Sequence, residues 1–191
     1  MKRLAIAVAV GALFSGAAFA QQGTVQRDVN QQQRIEDGLK SGALTTQEAS
    51  RLEAEQARIQ RDQSRAMRDG VVTPAEKARL EREQNRASRD ITRQSTDAQT
   101  GNPNSASSKR MQADVQRNIN QQTRVEQGLK SGQLTTREAG RVERGESRVD
   151  RREARAGRDG HVNAGEQRRI QSAENRESRR IYREKHDAQK R

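Results

Sequence analysis

Apolar residues fall on a narrow seam with helical spacing. Val25, Val29, Ile35 and Leu39, with Gln32 between them, recur roughly every 3.5 residues, and Ala49, Leu52, Ile59 and Ala66 repeat the pattern. No strand is evident. Four stretches mark helix starts: a Gly, an apolar residue, Thr or Asn, and Glu three positions further on. Thr45, Thr73, Thr135 and Asn163 are the N-caps, and Glu48, Glu76, Glu138 and Glu166 close capping boxes. Leu44, Val72, Leu134 and Val162 precede the caps and suit a hydrophobic staple, and Pro74 takes a first helical position where its missing N–H costs nothing. These signals predict an all-α chain with six helices, roughly over 25–40, 46–68, 74–98, 112–130, 136–158 and 164–188.

The pattern occurs twice. Residues 25–100 align with 115–190 at an offset of 90, and 39 of the 76 aligned positions are identical. Each half is expected to be a three-helix unit, with a further 28-residue repeat, from Gly42 to Gly70 and from Gly132 to Gly160. The segment TGNPNSASS, residues 100–108, reads as a flexible linker between unit 1 (21–99) and unit 2 (109–191). From residue 21 onward only 24 of 171 residues are Val, Ile, Leu, Met or Tyr, 12 in each half. So thin a seam predicts marginal stability, elongated helical hairpins, or a core completed by self-association.

The first twenty residues stand apart. Lys2 and Arg3, the apolar run Leu4 to Phe14 and the A-x-A site Ala18-Phe19-Ala20 predict a secretory signal peptide cleaved after Ala20, hence a periplasmic or secreted protein with no transmembrane segment in the mature chain. There is no Cys and no Trp, which excludes a disulfide scaffold and a thiolate metal site.

Charge divides the halves. The net charge is +12, yet residues 21–100 carry 14 basic and 13 acidic side chains, against 22 and 13 in residues 101–191. In the first half, acid–Arg pairs three apart recur every seven residues: Glu48 with Arg51, Glu55 with Arg58, Asp62 with Arg65, Glu76 with Arg79, Glu83 with Arg86, and Asp90 with Arg93. The second half keeps every Arg but replaces four acids, by Gly145, Arg152, Ala173 and Arg180. Arg141, Arg144, Arg148, Arg151, Arg155 and Arg158 then form one stripe on the fifth helix, and Arg169, Arg176, Arg180 and Arg183 a second on the sixth; with Arg152 beside the first stripe, and without Arg158 and Arg169, they make a set of nine. These nine are the candidate anion-binding residues, because the planar guanidinium engages phosphate or carboxylate in two bonds.

Residues 37–48, DGLKSGALTTQE, resemble the twelve-residue loop of the EF-hand family, with Asp37, Gly42, Leu44 and Glu48 at positions 1, 6, 8 and 12. Position 3, a carboxylate in that family, is Leu39 here. The resemblance implies a calcium-responsive protein, with Asp37 and Glu48 as the metal candidates. LTTQE at Leu44, LTTRE at Leu134 and VTPAE at Val72 resemble the LTxxQ motif of the Spy-like periplasmic chaperones, with Glu where that motif has Gln. This second resemblance implies an exported, all-helical protein binding unfolded clients on a basic face.

Catalysis finds no support: the two histidines, His161 and His186, lie in a turn and near the terminus, without metal-ligand spacing. Specific nucleic-acid binding is disfavoured by export and by the lack of stacking aromatics. The sequence therefore predicts a non-enzymatic, cofactor-free binding or stress-protective protein of the cell envelope. Its Arg stripes would meet anionic envelope components or unfolded client proteins; the alternative is an EF-hand-like cation-responsive protein.

Overall fold

The computed structural model describes residues 15–187, with side chains described from Gly23. The expected signal peptide falls in residues 1–14, outside the described residues, and in 15–20, where only the backbone is described. Six α-helices follow one another: α1 Ser15–Ser41, α2 Thr46–Ala66, α3 Pro74–Ser95, α4 Ala106–Ser131, α5 Thr136–Ala156 and α6 Ala164–His186, with a 3₁₀ turn Gly157–Asp159 before α6. No strand occurs among the described residues, and no helix there is long and apolar enough to cross a membrane.

The predicted starts form as complete capping boxes at Thr45, Thr73, Thr135 and Asn163. Ahead of two of them the chain turns at Gly42 and Gly132 with φ of 81° and 74°, a conformation that excludes most side chains. Leu44 and Leu134 then fold back over Gly38 and Gly128, where an added Cβ would lie 2.6 Å from the leucine Cδ1. The staple thus closes onto the preceding helix, and the spacing G-x5-L is what each α-turn depends on.

The halves are packed into one another rather than set side by side. α1 lies along α4 and α2 along α5. α2 and α5 run antiparallel: Gly140 approaches Met67, and Gly157 approaches Ser50, the 90-residue counterparts of that first pair. Midway, Ser147 Oγ donates to the carbonyl of its own counterpart Ala57 at 2.8 Å. The apolar side chains gather in two clusters of matching composition. One joins Ile35, Leu39, Leu44 and Leu52 to Met111, Val115, Val162 and Ile170; the other joins Val25 and Met67 to Val125, Leu129, Leu134 and Val142. Each cluster draws on both halves, so the thin seam of one half is completed by the other.

Residues 100–108, expected as a flexible linker, are part of this packing. Gly101 N–H donates to Gly42 O at 2.8 Å, and Ser105 caps α4, which begins at Ala106, earlier than the expected 112. A Cβ on Gly101 would overlap the Leu44 carbonyl, a backbone atom with no room to give. Gly101→Ala should therefore lower unfolding stability by about 1–3 kcal/mol in urea titration; an unchanged midpoint would mean the segment is free of the fold.

Candidate functional site

α5 sorts its charges by face. Glu138, Glu143, Glu146, Asp150 and Glu153 are at most 3% exposed, whereas Arg141, Arg144, Arg148, Arg151, Arg152 and Arg155 are all exposed. Both sets follow the 3-4 helical spacing; Glu146 and Arg148 differ by two positions, roughly 200° around a helix. The acids thus take seam positions that an ordinary helix gives to Leu or Val.

Amides meet these acids. Gln32 Nε2 donates to Glu53 Oε2 at 3.0 Å and Asn118 Nδ2 to Glu153 Oε2 at 2.8 Å. Gln84 Nε2 reaches Asp28 Oδ1 at 2.7 Å and Gln167 Nε2 reaches Asp114 Oδ1 at 2.6 Å, while Gln122 serves Glu143 and Glu146. At 90-residue offset, Gln56, Gln60, Gln63 and Gln84 stand where the second half has Glu146, Asp150, Glu153 and Glu174. Each of these amide–acid bonds joins residues of one half, and the second half carries the larger share of the buried acids. The balance is incomplete: Oε1 of Glu53, Glu143, Glu146 and Glu153 and both oxygens of Asp150 have no donor at full hydrogen-bond distance.

Loss of hydration is the dominant effect on the acidity of these groups. It raises Asp28, Glu53 and Asp114 to about 7, against the amide bonds that hold their charged forms. Glu174 rises to about 8 and Glu177 to about 7, despite Arg117 beside the first and Arg180 beside the second. Glu143, Glu146, Asp150 and Glu153 are pushed well above the carboxylate range by burial and then by a neighbouring acid, Asp28 for Glu143, Glu143 for Glu146, and Glu53 for Asp150 and Glu153.

The predicted arginines divide into two groups. Arg141 binds Glu184 at 2.6 Å and Arg180 binds Glu177 at 3.3 Å. Arg144, Arg148, Arg151, Arg152, Arg155, Arg176 and Arg183 are exposed and form no ion pair among the described residues. In the first half, Arg51, Arg58, Arg86 and Arg93 line a groove of about 440 Å³ between α2 and α3 around Glu55 and Asp90. The same positions in the second half are Arg141, Arg148, Arg176 and Arg183, with Gly145 and Arg180 in place of the two acids. A carboxylate has moved inward, to Glu177 on α6, and Gly145 makes its room, since a Cβ there would overlap the Glu177 carboxylate. A second groove, of about 510 Å³ between α4 and α6, is lined by Arg124, Arg179, Arg183, Asn175, Ser178 and Tyr182.

Other expectations meet a different geometry. Of the six acid–Arg pairs, Asp62–Arg65 and Asp90–Arg93 close at 3.0 and 2.6 Å. Glu48 and Glu76 turn back into their capping boxes, and Glu83 pairs with Arg79 at 3.0 Å rather than with Arg86. Asp37 is exposed and accepts from Gln33, while Glu48 Oε2 is taken by Thr45 N and Oγ1, so neither joins a group of converging carboxylates. His161 is exposed, and His186 stacks on Tyr182 at 4.1 Å. Sequence reasoning followed the Arg ladder and missed the acids; their signal was the spacing of Glu143, Glu146, Asp150 and Glu153 in phase with Val142 and Val149.

No family model matches the chain, and neither a curated protein nor a solved structure is similar to it.

The raised carboxyls set the pH response. Glu174 and Glu177 keep their protons in the folded chain to about 8 and 7, but release them near 4.5 when unfolded. Stability is then greatest below the unfolded value and falls as pH rises through 7 to 8. The urea midpoint should drop steadily from pH 5 to pH 9; a midpoint that climbs over this range would contradict the buried positions.

Proposed function

We propose that this chain is an exported, non-enzymatic helical protein of the cell envelope that binds anionic surfaces through the outer face of α5 and α6. The single observation that carries the reading is the charge sorting of α5, whose acids are all buried and whose arginines all face out. Nine of the 13 acidic residues in 101–191 are buried, so an approaching polyanion meets a field more positive than the sequence count implies. The unpaired guanidiniums along α5, with Arg176 and Arg183 on α6, suit phosphate or carboxylate groups presented in an array. An anionic surface is favoured over unfolded clients because the exposed large apolar side chains among the described residues are Val71 and Tyr182, too sparse for an amphiphilic client face. Export rests on the run from Lys2 to Ala20.

Because the apolar clusters are shared, the test uses the whole mature chain. Neutralising Arg144, Arg148 and Arg155 to Gln should weaken binding to phosphatidylglycerol-containing vesicles by about 3 kcal/mol, on the order of a hundredfold, at low salt. Neutralising Arg65, Arg79 and Arg93, which are already paired with acids, removes the same charge and should cost far less. Equal losses in the two triple variants, or no vesicle binding at physiological salt, would overturn the proposal.

A further inference from the structure

Glu53 on α2 and Asp150 and Glu153 on α5 converge at the interface of the two halves. One oxygen from each lies within 4.8 Å of the others, and all three side chains are 0% exposed. No basic side chain acts on any of them: the charged groups bearing on Glu153 are Glu53, Asp150, Asp114 and Glu174, and those bearing on Asp150 are Glu53, Glu143 and Asp28. Without a positive counterpart such a group stays protonated, and a cation placed among its oxygens would displace the protons.

Independently of this convergence, the hydrogen bonding leaves oxygens unclaimed at the same place. Asp150 is wholly buried; the Gln60 amide is the one donor that bears on it, and neither of its oxygens has a donor at full hydrogen-bond distance. Gln32 and Asn118 each hold Oε2 of a glutamate, Glu53 and Glu153, and leave Oε1 bare. The carbonyl of Gln60, whose side chain reaches Asp150, also accepts nothing. Such outer amides fix ligand oxygens as the second layer of a metal site does. The second converging group, Glu138, Glu184 and Asp187, differs, because Arg141 already lies against Glu184 at 2.6 Å and Glu138 at 3.6 Å.

The geometry points to Glu53, Asp150 and Glu153 as a site for one hard divalent cation of calcium size, closed between α2 and α5. The donors are all oxygen, which selects hard ions over zinc or copper. In a closed site lined by protein oxygens calcium is favoured over magnesium, which gives up its waters reluctantly and is seldom held by protein ligands alone. The site depends on neither the Arg face nor the EF-hand-like loops. Since its ligands come from both halves, ion binding is linked to their closure and reads out as stability.

The experiment strips the mature chain with chelator, then measures Tm and bound metal against CaCl2, MgCl2 and NaCl at matched ionic strength. One calcium per chain and a saturable rise in Tm, larger than for magnesium and absent with sodium, are expected. The D150N/E153Q double variant places amides where the first half already carries Gln60 and Gln63. It should fold in chelator with a Tm at or above that of the parent, lose the calcium response, and bind calcium at least tenfold more weakly. E53Q, on the opposite helix, gives a second reading should the double variant fail to fold. No bound calcium, an equal shift with sodium, or a calcium response retained in either folded variant overturns the inference.

Discussion

Amides donating to buried carboxylates hold the middle of this molecule, and the rest of its architecture follows from them. Four long helices must enclose an interior, but apolar side chains suffice only for two clusters, around Leu44 and around Leu134. The turns between are filled by Gln and Asn facing Asp and Glu. A buried amide–carboxylate bond loses little only while both partners stay matched. These bonds lie within each half; across the halves Gln60 faces Asp150, where a second acid would repel.

The same constraint shapes the surface. Once the seam of α5 is acidic, its arginines occupy the opposite face, and the loss of acidic partners at Gly145 and Arg152 leaves them free. Glu177, seated over Gly145, shows the exchange at one position: the acid of the first half, Glu55 on α2, is replaced in the second by an acid on α6 that reaches the same region from within. Inner negative and outer positive layers thus arise by substitution at fixed positions, since the same faces of α2 and α5 are buried and exposed. The oxygens of Asp150, with Gln60 alone bearing on them, mark where the acids of the inner layer outnumber its donors.

Local signals were legible in the sequence because capping is local. Thr45, Thr73, Thr135 and Asn163 announced their helices through residues within four positions. Gln32 in the first seam was the visible hint of a polar interior. Placement of the halves was not legible: it depends on Gly140 and Gly157 letting α5 approach α2, and close approach leaves no periodic trace. The linker reading failed on composition, since Gly and Ser serve a tight docking against Gly42 as readily as they serve flexibility. Two of the i, i+3 pairs did not close because Glu48 and Glu76, three residues after a Thr cap, have a better partner in the cap itself, and a third because Glu83 reaches Arg79 instead. The Arg face was seen from the sequence; the acids beneath it were not, because charge normally marks the solvent side and here half of it marks the core.

The most direct test of this account is a carboxyl-resolved NMR titration of the mature chain in chelator. Glu174 and Glu177 should titrate with midpoints about 8 and about 7, and Glu143, Glu146, Asp150 and Glu153 well above the ordinary range, each shift vanishing on unfolding in urea. If every Glu and Asp of the folded protein titrates near its ordinary 3.8 to 4.5, the carboxylates lie in water and the account is wrong.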